Sequence, residues 1–160
     1  MCIRDRYIGG QEIDKFEDNF ASLIGVNHAV GCNSGTDALI LALRALDIGD
    51  GDEVITSSFS FFATAEAIST VGANPVLVDI NPNDYLINID LIEGEINSNT
   101  KAIMPVHLFG NAVNMNSIKS LAKKYDLKII EDCAQATCTC LLYTSPSPRD
   151  ATLSRMPSSA

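Results

Sequence analysis

The chain has 160 residues, enough for one domain with a proper core and too few for two. Its content, 46% hydrophobic and 19% charged, is that of a globular protein, and no apolar run approaches the roughly 20 residues a membrane helix needs. The formal net charge of -9, with Lys and Arg thin and scattered, excludes the basic face that nucleic-acid binding requires.

In chain order, Ile13, Phe16, Phe20, Leu23 and Ile24 recur at helical spacing and predict an amphipathic helix before Gly25. Ala29-Val30-Gly31-Cys32 reads as a short strand, and Ala38 to Leu46 as a helix apolar nearly all round, broken by Arg44. Val54-Ile55-Thr56 is a second strand and Phe62 to Val71 a helix ending at Gly72. Pro75 to Asp79, Ala102 to Val106 and Lys128 to Asp132 are further strands; Ile89 to Ile96 and Asn116 to Tyr125 are the helices between them. Continuous apolar strands alternating with helices predict an α/β fold, a mainly parallel sheet with helices on both faces.

The pattern fails at both ends. Residues 1–7 and 138–160 carry no helical or strand period and read as non-native or disordered segments around a domain spanning 8–137. Both resemble translated adapter sequence, which implies that the natural chain continues past Thr137. The start, Met1-Cys2-Ile3-Arg4-Asp5-Arg6, lacks the apolar stretch of a signal peptide, so a cytoplasmic location is expected. Five cysteines, an odd number without paired metal-ligand spacing, predict neither disulfides nor a metal centre. Cys32 and Cys133 are expected to be buried free thiols.

In open parallel sheets ligands collect at the carboxyl ends of the strands, and the unusual polar residues of this chain fall there. The first predicted strand runs into Asn33-Ser34-Gly35-Thr36-Asp37-Ala38 and then directly into a helix. Small residues let a ligand approach the backbone, and the first N–H groups of the helix suit a phosphate. A helix cap by Ser34 or Thr36, with Gly35 easing the turn, explains the same residues, and both readings stand on local sequence. The turn matches neither a Walker loop nor a dinucleotide fingerprint. The second strand ends in Ser57-Ser58-Phe59-Ser60-Phe61-Phe62, whose phenylalanines read either as core or as a ring stacked on a flat ligand. Asp132 follows an apolar run at the sheet edge, where a carboxylate needs a partner such as a protonated ring nitrogen; the alternative is a helix-capping Asp. Gln135, three residues on, can reach the same ligand edge. His107 ends the fourth strand and is either a structural histidine or a site residue. Asp79 reads as a turn residue, and His28 is given no role.

The runs Ala29 to Leu39, Gly51 to Thr56, Ala102 to Gly110 and Ile130 to Ala136 together resemble the DegT/DnrJ/EryC1/StrS aminotransferases, which are fold-type-I enzymes. The resemblance spans nearly all of residues 9 to 137 with the motifs in order. It implies part of the large domain of a pyridoxal 5'-phosphate enzyme acting on keto nucleotide sugars with an amino donor, usually glutamate, and working as a homodimer. By position, Gly35 and Thr36 would hold the cofactor phosphate, Phe61 would stack on the ring, Asp132 would pair with the ring nitrogen, and Gln135 would contact the ring hydroxyl. His107 would lie on the substrate side. The family's lysine, which joins covalently to the cofactor some tens of residues after the Asp, has no counterpart: no lysine follows Lys128. The resemblance thus also admits a sugar dehydratase, in which histidine replaces that lysine, and a catalytically silent regulatory relative.

Overall fold

The computed structural model describes residues 10–137 and the backbone of a short strand at 151–153. The chain divides into two compact units, residues 1–32 and 33–160. In the first, helix α1 (Gln11–Ile24) stops at Gly25, whose φ of 76° is the left-handed cap that glycine adopts without strain. Phe16 and Phe20, one turn apart, stack with ring centroids 5.6 Å apart. Ala29 to Cys32 does not form the predicted strand. A strand exists only by hydrogen bonding to a neighbour, and among the described residues this segment has no ladder partner. The Gly31 N–H goes instead to Glu17 Oε1 at 2.6 Å. Cys32 is correspondingly exposed rather than buried, whereas Cys133 is buried as expected.

The second unit holds helices α2 (Gly35–Ala45), α3 (Phe62–Thr70), α4 (Ile89–Glu95) and α5 (Met115–Tyr125). Its strands are β1 (Glu53–Ser57), β2 (Asn74–Val78), β3 (Thr100–Met104), β4 (Lys128–Asp132) and β5 (Ala151–Leu153). All pairings are parallel, in the order β2-β1-β3-β4-β5. The sequence pattern predicted no strand beyond Thr137. β5 arises because β4 otherwise presents an unpaired row of backbone donors and acceptors, which an extended segment can meet whatever its side chains. The rest of the predicted unstructured segments, 1–7, 138–150 and 154–160, lies outside the described residues, as do residues 8 and 9 of the predicted domain.

Period-two alternation builds two cores. Val54, Ala102, Met104 and Ile130 face one side, against Leu39, Ala42 and Leu43 of α2 and Ala67 and Ile68 of α3. Ile55, Ile103 and Ile129 face the other, against Ile92 of α4 and Ile118 and Ala122 of α5. The sheet is therefore covered on both faces, the arrangement the continuous apolar strands implied. Because every strand is parallel, the carboxyl ends of β1, β2, β3 and β4 reach a common edge.

Candidate functional site

At that edge the alternation of β4 separates two consecutive acids. Ile130 and Asp132 belong to the α2/α3 face, and Ile129 and Glu131 to the α4/α5 face. Both carboxylates are buried.

Asp132, 7% exposed, accepts the Thr64 hydroxyl on Oδ2 at 3.0 Å and the Ala134 N–H on Oδ1 at 3.1 Å. Thr64 Oγ1 is in turn 2.9 Å from Ser60 Oγ. The Asp132 backbone is fixed as well, its N–H donating to the Pro105 carbonyl and its carbonyl accepting from the His107 N–H. Among the described residues no cation pairs with Asp132. A buried carboxylate with acceptor capacity to spare and no positive partner is costly, and a protonated ligand nitrogen is the kind of group that offsets that cost.

Helix α2 opens beside Asn33 and Ser34. Ser34 Oγ accepts the Asp37 N–H at 3.1 Å and donates to Asp37 Oδ2 at 2.9 Å, while Asn33 Nδ2 donates to the same oxygen at 3.0 Å. These two donors, Asn33 first, hold the Asp37 carboxyl below its ordinary pKa. Ser34 is thus the cap, one of the two readings left open by the sequence. The capping does not use up the turn: among the described residues the N–H groups of Gly35 and Thr36 have no partner, so two donors at the positive end of the helix remain available to an anion. Cap and phosphate turn are compatible rather than alternative.

Phe59, Phe61 and Phe62 are all exposed, Phe61 at 70%. They are not core residues, because they lie past the end of β1 where neither helical layer covers them. Gln135 uses its carbonyl oxygen on the Phe109 N–H at 2.8 Å, which leaves the amide Nε2 as a donor at the sheet edge. The same contact holds Phe109, whose φ of 55° is unusual for a residue with a side chain.

His107 is 0% exposed, and both its ring nitrogens are engaged within the chain. Val113 donates its N–H to Nδ1 at 3.1 Å, so the ring proton sits on Nε2, which lies 2.9 Å from Glu131 Oε2. This geometry matches the structural alternative for His107 and offers no face to a substrate. Cys133 completes a buried trio in which one ligand atom from each of His107, Glu131 and Cys133 lies within 4.8 Å of the others. In this arrangement Nε2 carries the ring proton toward Glu131 rather than a free lone pair, because Nδ1 accepts from Val113. Asp79 behaves as a turn residue, its Oδ1 accepting the Ile80 N–H at 2.8 Å.

The sequence reading passed over Thr64 and Ser60. A signal was present: Thr64, Ala67 and Ile68 fall at i, i+3 and i+4, which puts a hydroxyl on the buried stripe of α3, where it must find a partner.

The family model of the DegT/DnrJ/EryC1/StrS aminotransferase family matches residues 2–141. This chain belongs to that family. It is 55% identical over 130 residues to a UDP-N-acetyl-3-dehydro-alpha-D-glucosamine 3-aminotransferase of Acidithiobacillus ferrooxidans, covering 81% of this chain and 35% of the relative. It is 45% identical to a "Pleiotropic regulatory protein" of Geobacillus stearothermophilus, covering 82% of this chain and 35% of that one. Among solved structures, ntda from Bacillus subtilis with bound cofactor PMP (pyridoxamine phosphate) superposes with a TM-score of 0.79 at 40% identity, over 80% of this chain and 29% of that one. The chain spans about a third of the length of the curated relatives it matches. The fold is that of the fold-type-I enzymes, and the family's cofactor is pyridoxal 5'-phosphate. The residues present fit such a group: two unused N–H donors at a helix start, an uncovered aromatic ring, a buried carboxylate without a cation, and an amide donor beside it.

Proposed function

We propose that this chain forms the cofactor-binding part of an aminotransferase that moves an amino group, taken from glutamate, onto a keto nucleotide sugar. The observation that carries the reading is Asp132, a buried carboxylate clamped by two donors and lacking a cation among the described residues. When bound, pyridoxal phosphate supplies a ring that accepts electrons as a proton leaves the carbon bearing the amino group. The chain's residues would prepare that ring. Gly35 and Thr36 would hold its phosphate with backbone N–H groups. Phe61 would set its plane, Asp132 would keep its nitrogen protonated, and the Gln135 amide would contact its hydroxyl.

No lysine follows Lys128, so the residue that would join covalently to the cofactor is not among these 160, and we expect this chain alone not to turn over. The working form is read as a homodimer in the cytoplasm. Family resemblance supports the dimer, as does α2, where Leu41 stays exposed on an otherwise apolar helix.

The test is made on the full-length protein. A bound-cofactor absorbance band that Asp132→Ala weakens or shifts is the expected result, together with amino transfer from glutamate to a 3-keto or 4-keto nucleotide sugar followed by NMR. Failure to retain any cofactor would sink the site assignment. Cofactor retention without transfer would favour a second reading, a regulatory protein, which the 45% identity to the Geobacillus stearothermophilus relative supports.

A further inference from the structure

The polarity of the Ser60–Thr64–Asp132 chain is fixed by elimination. Thr64 is 1% exposed and has one hydroxyl proton, which points at Asp132 Oδ2. Its oxygen can therefore only accept at the 2.9 Å contact with Ser60, although either atom could donate on distance alone. Ser60 must be the donor. The bonds then run one way, from the half-buried Ser60 through the buried Thr64 to the carboxylate. Ser60 lies in the segment joining β1 to α3, one residue before Phe61, and Thr64 is in the first turn of α3.

Asp132 is held at both oxygens, but the two holds differ in origin. The Ala134 N–H is local, two residues along the same backbone. Thr64 comes from another element, 68 positions away in sequence. The local bond ties the carboxylate to its own turn; the long-range bond ties it to the α2/α3 face.

We propose that Thr64, backed by Ser60, is the positioning residue that sets the orientation of Asp132 toward the cofactor ring, and that the Ser60 proton is committed inward rather than available to a ligand. Ser60 accordingly presents only lone pairs to the site, and a ligand group meeting it there must be a donor. The inference rests on the assignment of Asp132 to the ring nitrogen.

The test measures affinity for pyridoxamine phosphate, which binds without a covalent link, by fluorescence titration of the full-length protein, with the absorbance maximum of the bound cofactor as a second readout. Thr64→Val keeps the branched shape and removes the hydroxyl. It should weaken binding about tenfold, the scale of one hydrogen bond to a charged group, and shift the absorbance maximum. Thr64→Ser restores the donor and should return both readouts to within about twofold of wild type. Ser60→Ala, at the half-buried rim, should weaken binding about threefold. Should Thr64→Val fail to fold, Thr64→Ser and Ser60→Ala still decide: wild-type affinity and spectrum in Ser60→Ala, or no recovery in Thr64→Ser, overturns the proposal. Wild-type behaviour of a folded Thr64→Val does the same. Failure of the wild-type protein to bind pyridoxamine phosphate at all would instead remove the site assignment itself, a distinguishable outcome.

Discussion

Glu131 and Asp132 are consecutive residues at the end of β4, both buried, and the sheet's alternation sends them to opposite faces. Glu131 meets His107, whose other nitrogen is taken by the Val113 N–H, so that face is closed within the chain. Asp132 meets a threonine hydroxyl and a backbone N–H, and keeps acceptor capacity at the carboxyl edge of the sheet with no cation against it among the described residues. The difference shows how two neighbouring buried carboxylates come to meet different partners. Burial is the same for both; what separates them is the kind of partner, an imidazole whose two nitrogens are both engaged within the chain for Glu131, and a hydroxyl and a backbone N–H for Asp132.

The largest effect should come from opening the closed face. His107→Ala takes a hydrogen-bond partner from both the buried Glu131 carboxylate and the Val113 N–H and is expected to lower folding stability by about 3 kcal/mol, read by urea denaturation. It should do so whether or not cofactor is present. Asp132→Asn tests the open face. Asparagine keeps the shape but has one acceptor oxygen, so it keeps the bond from Thr64 or from Ala134 and not both; stability should fall by about 1 kcal/mol, while pyridoxamine phosphate affinity falls at least about tenfold. Equal stability losses at the two positions would break the contrast between the faces.

Phe61→Ala sharpens it further. The ring is 70% exposed, so the melting temperature should hardly move, whereas loss of a stacking surface should cost about 1 kcal/mol of cofactor affinity, roughly fivefold. A drop in melting temperature with unchanged affinity would return Phe61 to a packing role.

The smallest effect is acid sensitivity of two surface carboxyls. Asp37 is lowered by its bonds to Asn33 and Ser34, and Glu93 by its bonds to Lys124 and Tyr125. A carboxyl depressed in the folded state binds its proton more readily when unfolded. Its stabilisation is therefore full above about pH 4 to 5 and is lost as pH falls through the lowered folded value. Both groups are exposed, so the contribution is small and screened by salt. Asp37→Asn and Glu93→Gln should flatten the stability profile in that acid window, being slightly less stable than wild type at pH 7 and converging with it at the acid end.

Much of the fold was legible because its signals are local. β4 begins and ends where the apolar run Lys128 to Asp132 predicted, and β1, β2, β3 and the helices fall within a few residues of their patterns. The site was legible in part. Position at a strand's carboxyl end follows from order along the chain, so Asp132, Phe61 and Gln135 could be singled out from sequence. Whether Phe61 is covered, whether His107 is free, and that Thr64 supports Asp132 all depend on what a second element brings to each residue.

By itself the sequence determined the alternation of strands and helices, the two-sided core and the small-residue turn before α2, since helix bonds and side-chain periodicity are set by near neighbours. It also carried enough of the family's motifs to identify membership. Only the tertiary structure decided that Ala29 to Cys32 lacks a ladder partner among the described residues, that 151–153 pairs with β4, and that Glu131 meets His107 while Asp132 meets Thr64. The physical reason is the same in each case. A strand's hydrogen bonds and a buried charge's partner come from residues distant in the chain, and no local pattern specifies which of them will arrive.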